Sequence, residues 1–347
     1  MSCSDKRIGN VDGIRAISCM AIVAFHLYMV AEYTFSLIHT VISSWFGFVI
    51  IFMILSGYGI CCGYLDKFNN GQIDIEKFYV KRYSKILPFF AVITIIGVIY
   101  EHNLRGLAEG FIEITLLYGL LPNNSNIFLV NGVCWTLGTI FVFYLIFPFL
   151  SILLKNKKRA LWSFVIFVLI HICCKTIFMT EKFVVDNYIE SSSIMYSMVF
   201  FFAGGLIYLY QNEIIKFVSR YQLLMFLICV LITIGLTFVL NEFYEFRIYV
   251  YLLSGVIWII YAVGAKKSIL NNKLFGFISK YSMEIYLSHM IILKVICILK
   301  LPAIMGNNVI SYCLLYIVLL SGTIIFDISI KYIIDKFFQK IKKEKKI

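Results

Sequence analysis

A chain of 347 residues that is 61% hydrophobic and 17% aromatic, with a mean hydropathy of +0.90, falls outside the soluble globular class; about half the residues of an ordinary soluble domain are apolar. Its repeated long apolar runs predict one all-α, polytopic helical bundle in a lipid bilayer. The net charge of +12 suggests nucleic acid at first sight, but the placement of the basic residues gives it another meaning.

Ten spans of adequate length follow in chain order, at 14–34, 42–63, 86–101, 133–154, 160–178, 194–211, 222–241, 247–264, 282–300 and 309–330. The basic start "MSCSDKR" leads into a first span with no small-x-small cleavage site, so this segment is expected to stay. Between the third and fourth spans, the apolar stretch 108–121 carries Glu109 and Glu113. It reads as an interfacial or re-entrant helix rather than an eleventh span. The expected division is a membrane domain over 1–331 and a short basic tail over 332–347, lying on the inner leaflet.

Of the 31 Lys and Arg residues, 25 fall in the odd-side segments that include both termini, four fall on the other side and two lie within spans. The positive-inside rule therefore predicts both termini in the cytoplasm. The charge is a topology signal, and no nucleic-acid partner is implied. The ten cysteines form no CxxC and no metal-ligand spacing, so they read as small apolar residues. No metal is expected.

The first span, "DGIRAISCMAIVAFHLYMV" from Asp12, contains two ionisable groups in what should be hydrocarbon, each costing about 3 kcal/mol or more there unless it faces a cavity or a partner. Arg15 and His26 are 11 residues apart, only about 20° past three full helical turns and about 16 Å along the axis. Both project from one face, Arg15 at the inner membrane surface and His26 midway. That stripe is the leading candidate for chemistry. Asp12 complements the helix N-terminus.

Five stretches resemble the acyltransferase-3 family, membrane enzymes that O-acylate cell-surface glycans. They are the Arg-x10-His span opened by "DGIRA", "FMILSGYGI" at 52–60, "FYVKRYSKILP" at 78–88, "CWTLGTIFVFYLIFP" at 134–148 and "SKYSMEIYLSHMIIL" at 279–293. Two departures stand out. The paired arginines of the basic segment are Arg82 and Lys85 here, and lysine lacks the bidentate fork; the glutamate usual five residues after the tryptophan is Ile140.

The resemblance implies transfer of an acyl group, most simply acetyl, from cytoplasmic acyl-CoA to a hydroxyl of a cell-surface or lipid-linked glycan, in the cytoplasmic (inner) membrane of a bacterium. No permanently bound cofactor is implied; acetyl-CoA is a co-substrate. His26, Arg15 and Asp12 are then the catalytic candidates, with His26 acting either as general base or as acyl acceptor. Arg15, Arg82 and Lys85 would clamp the donor phosphates. Ser56 and Gly57 would either admit the acyl chain or make a close helix contact. Trp135, Tyr286 and His289 are candidate substrate contacts, Trp135 alternatively belonging to an aromatic belt and His289 alternatively supporting a residue that touches substrate or being a buried histidine satisfied by a hydroxyl. A secondary transporter or exporter is the competing class. The four prolines near span ends and the lack of an internal repeat disfavour it.

Overall fold

A computed structural model describes residues 9–34, 36–121, 124, 131–186, 188–239 and 247–344. Among these residues there is no strand. The principal helices are α1 (Gly9–Val30), α2 (Val41–Asn69), α3 (Ile75–Glu101), α4 (Leu104–Ile114), α5 (Trp135–Leu153), α6 (Lys157–Phe178), α7 (Ile194–Leu209), α8 (Gln211–Arg220), α9 (Gln222–Val239), α10 (Arg247–Gly264), α11 (Lys273–Ile298) and α12 (Val309–Glu344).

Among the described residues eight helices, α1, α2, α3, α5, α6, α10, α11 and α12, are long and apolar enough to cross a bilayer. The chain is an all-α polytopic bundle. Each of the ten expected spans falls on a helix over its described residues, with 240–241 of the seventh lying outside them, but two of the spans do not meet the length requirement alone. Helices α7 and α8 meet at 74° and count as a ninth span only if taken together, while Gln222–Gly235 in α9 is a shorter apolar stretch. Helix α12 runs on to Glu344, so much of the segment assigned to a tail continues the helix of the last span.

Helix α1 is the hub. It packs against α2, α10, α11 and α12, and polar side chains fix those contacts. Asn10 donates to Ala265 O at 2.7 Å and Ser279 donates to Asp12 Oδ1 at 2.8 Å. Tyr312 and Tyr316 of α12 donate to Ala24 O at 3.0 Å and Met20 O at 3.2 Å. In hydrocarbon a polar group has no water to turn to, so such bonds specify which helix faces meet.

The second structural spine is the pair α2 and α7. A Cβ added at Gly57 would stand 1.9 Å from Phe201 O, and one at Gly204 would stand 2.0 Å from Ile54 O. The two glycines therefore bring the backbones into direct contact, as small residues do between membrane helices.

Helix α3 begins eleven residues before the expected third span, because Asp74 caps it by accepting from Glu76 N at 2.9 Å. Pro88 therefore lies inside the helix and not at its end, a placement membrane helices tolerate. The early start sets Arg82 and Lys85 one turn apart on an established helix. Helix α4 is capped by Asn103 and is inverted in polarity relative to a soluble amphipathic helix. Glu109 and Glu113 are buried against the protein, while Leu104, Leu107 and Phe111 are exposed. An apolar outward face suits a helix lying at the membrane interface.

Candidate active site

His26 on α1 and His289 on α11 meet across 263 residues of sequence, with His289 Nε2 at 3.1 Å from His26 Nδ1. Their rings lie 5.0 Å apart, centroid to centroid. The surrounding carbonyls fix the protons. His289 Nδ1 lies 3.1 Å from Ile285 O and 2.8 Å from Tyr286 O. Carbonyl oxygens only accept, so this nitrogen carries the hydrogen and Nε2 presents a lone pair. His26 Nδ1 faces that lone pair and also Ile22 O at 3.0 Å, two acceptors, so it must donate. The remaining nitrogen, His26 Nε2, holds the lone pair and has no hydrogen-bond partner among the described residues. His289 is fully buried whereas His26 is half-buried. His26 is thus the more exposed ring of the pair, with an unengaged ring nitrogen, and His289 orients it.

On the Arg15 side of this pair lies a cavity of about 410 Å³ whose wall includes Arg15, Arg82, Lys85, Lys280 and Lys331, with one carboxylate, Glu284. Tyr286 also lines it, and its ring stands 6.0 Å from that of His289, so the cavity approaches the histidine pair. Tyr286 is itself fixed, donating to Thr136 Oγ1 at 2.8 Å and lying 3.0 Å from Val133 O.

The cations differ in how they are held. Arg15 pairs with Asp12 at 3.2 Å, and Lys331 pairs with Glu284 at 2.6 Å. Arg82 has no ion pair or hydrogen bond among the described residues, and its Nε is buried without a partner. Its guanidinium lies 4.4 Å from the Tyr64 ring centroid, 5.4 Å from Tyr144 and 5.7 Å from Phe78. Three rings therefore position the charge while leaving its donors unspent. A smaller cavity of about 290 Å³ adjoins through the shared Arg82 and Lys85 and adds Lys67 and Lys81. A half-buried guanidinium without an anion beside it, set among lysines, is suited to a polyanionic ligand. Among the described residues no three His, Cys, Asp or Glu side chains gather as a metal site.

The sequence matches the Acyltransferase domain family (Acyl_transf_3) over residues 8–328. The chain belongs to this family. It is also similar to the peptidoglycan O-acetyltransferase OatA of Listeria monocytogenes serovar 1/2a (strain ATCC BAA-679 / EGD-e), 29% identical over 176 residues. That match covers 45% of this chain and 26% of the relative, so the likeness extends over about a quarter of the longer protein. No solved structure matches the chain.

Within this member of the family, most of the residues singled out in the sequence come together. Arg15, Ser56, Arg82, Lys85 and Tyr286 line one cavity, Asp12 holds Arg15, and His26 and His289 pair beyond Tyr286. Two residues do not join it. Gly57 faces the Phe201 backbone of α7 rather than the cavity; the wall is made by Ser56 and Gly59, one helical turn apart. Of the two roles open for Gly57, the close helix contact is the one observed. Trp135 is buried at the start of α5 but is not a wall residue, whereas Thr136, Leu137 and Ile140 are. His289 has both ring nitrogens engaged within the protein, one of them with His26. The sequence reading missed Lys280 and Lys331. Their signal was available, since both fall at the inner ends of spans, at the depth assigned to Arg15.

Proposed function

We propose that this integral membrane protein is an O-acetyltransferase that draws its acetyl group from acetyl-CoA in the cytoplasm and passes it to a hydroxyl of a cell-envelope glycan of the peptidoglycan type, in a bacterial cytoplasmic membrane. The observation that carries this reading is Arg82, a guanidinium seated among three aromatic rings with no counter-ion among the described residues, in a basic cavity that leads toward the accessible lone pair of His26. Family membership supports the reaction class, and the likeness to OatA supports the acceptor class.

In this reading Arg82, Lys85 and Arg15 hold the donor phosphates, and the pantetheine arm runs along the face of α1 toward His26, about 16 Å away. His26 Nε2 removes the proton of the acceptor hydroxyl as the oxygen attacks the thioester carbonyl. The C–S bond breaks, and the coenzyme A thiolate takes up the proton, so the ester and the free thiol balance the reaction. During the step the imidazolium of His26 keeps its Nδ1–H directed at His289 Nε2 and Ile22 O, two acceptors already in place, which lowers the cost of forming the cation. Placement of the donor cavity at the cytoplasmic face rests on the excess of basic residues there.

The test is direct. Purified protein in vesicles, given acetyl-CoA carrying a labelled acetyl group and a soluble N-acetylglucosamine oligomer, should release coenzyme A and form base-labile O-acetyl saccharide. Failure to bind acetyl-CoA in preference to acetate would contradict the assignment.

A further inference from the structure

The basic cavity follows three helices for the same distance. Its wall runs from Ile60 to Phe52 on α2, from Tyr144 to Thr136 on α5 and from Ser279 to Leu287 on α11. Each stretch rises by eight residues, about 12 Å of helix. One end is cationic, where the Arg82 guanidinium lies 5.4 Å from the Tyr144 ring. At the other end the three helices are closed by contacts between side chains. The Phe52 and Tyr286 rings lie 5.9 Å apart, centroid to centroid, and Tyr286 reaches Thr136 Oγ1 at 2.8 Å. Directly behind this wall stands His289, its ring 6.0 Å from that of Tyr286.

The cavity also narrows toward that wall. Gly59, Ser56 and Phe52 line it from α2, at spacings of three and four that put them on one face. A Cβ added at Gly59 would meet nothing within 4 Å, so the space is open there. Ser56 takes little of it, and at Phe52 a phenyl ring fills it. The two rings of the wall are held differently. Tyr286 is buried and tied by its hydroxyl to Thr136, with Val133 O at 3.0 Å, so it is the fixed side. Phe52 has no polar atom to anchor it. It is half-buried and packs between the two hydrophobic clusters of the bundle, so its ring sets the width.

We propose that Phe52, set against Tyr286, selects the donor by the length of its acyl group. With the donor phosphates at the Arg82 end, the acyl group is the last part of the molecule to be accommodated and lies at the Phe52 end. Acetyl ends there in a methyl group. Each further methylene must displace a packed ring, and an apolar pocket discriminates one methylene by about 10- to 200-fold. The consequence for catalysis rests on the acyl-transfer reading; the wall that limits the bound chain does not.

The experiment uses the full chain in vesicles, an N-acetylglucosamine oligomer, and acetyl-CoA, butyryl-CoA and hexanoyl-CoA as alternative donors. It has two readouts. One is kcat/KM for acyl transfer from each donor. The other is the donor-induced rise in melting temperature, which needs no chemistry. In the wild type, butyryl-CoA should be at least about tenfold poorer than acetyl-CoA by both measures, and hexanoyl-CoA poorer still. Phe52→Ala should raise the butyryl-to-acetyl ratio at least about tenfold. Phe52→Leu keeps apolar packing and should shift the ratio less but in the same direction, so the test holds even where the alanine variant does not fold. Ile86→Ala alters the cavity wall on α3 and should leave the ratio at its wild-type value; an equal rise there would overturn the assignment to Phe52. If the wild type uses butyryl-CoA as well as acetyl-CoA, or if transfer proceeds with the same length profile in the Phe52 variants, the selector is overturned and the acyl-transfer reading stands. If the donors bind with this length preference and the variants relax it, but no saccharide is acylated, the selector stands and the acyl-transfer reading falls. Absence of any donor binding would overturn both.

Discussion

Arg82 offers a quantitative test of the donor site. It has no ion pair or hydrogen bond among the described residues, so replacing it should cost the free protein little beyond its ring contacts. A bound donor, by contrast, should lose a charge-assisted contact, about 1.5–3 kcal/mol, which weakens binding by about 12- to 160-fold. The assay is thermal unfolding of the purified protein with and without acetyl-CoA. At a donor concentration 100 times the wild-type Kd, binding stabilises the folded state by about 2.7 kcal/mol; in Arg82→Ala the same concentration should contribute about 1.3 kcal/mol at the mild limit and about 0.3 kcal/mol at the severe one. Arg82→Lys should fall between, because it keeps the charge but loses the planar fork and its stacking on Tyr64. A donor-induced shift in Arg82→Ala equal to that of the wild type would refute the phosphate-clamp argument and return Arg82 to a mere topology determinant.

Two further predictions concern the scaffold. Gly57→Ala places a methyl group 1.9 Å from the Phe201 carbonyl oxygen, so α2 and α7 must separate; the cost should be about 1–3 kcal/mol, visible as a lowered melting temperature, and unchanged stability would show that the two helices are not in contact. Burial raises the Glu113 carboxyl from its ordinary 4.5 to about 8, so between those values the folded state holds a proton that the unfolded chain has released. Stability should therefore fall as pH rises across that window. Glu113→Gln should flatten the profile and be the more stable form above pH 8, as read by melting temperature against pH; identical profiles for the two proteins would contradict the burial of that carboxyl.

Hydropathy made the helical bundle legible, since each apolar run of 16 or more residues falls on a helix. It misplaced the start of α3, because five charged residues among 75–85 break the apolar run, although Asp74 is a recognisable cap. The sharp bend between α7 and α8 was equally hidden, lying within an apolar run that continues toward Tyr210. In the site, the common face of Arg15 and His26 followed from helical arithmetic. The helix phase could also have separated Ser56 from Gly57, since neighbours on a helix point about 100° apart. The partnership of His26 with His289 was beyond local reasoning, because it depends on how α1 and α11 pack. The same holds for the stacking of Arg82 on Tyr64 and Tyr144, which brings three helices to one point.

The central claim is that His26 Nε2 is the base for acyl transfer, and the most direct measurement is the transfer rate of His26→Gln at saturating acetyl-CoA. Glutamine fills much of the same volume and keeps a hydrogen bond toward His289, but it cannot accept the hydroxyl proton. The donor-induced rise in melting temperature should match the wild type, while O-acetyl formation on the saccharide should fall by about a hundredfold or more, the usual scale for losing a general base. Near-normal O-acetylation by His26→Gln, with donor binding intact, would show that the histidine pair only packs the helices together and would contradict the mechanism.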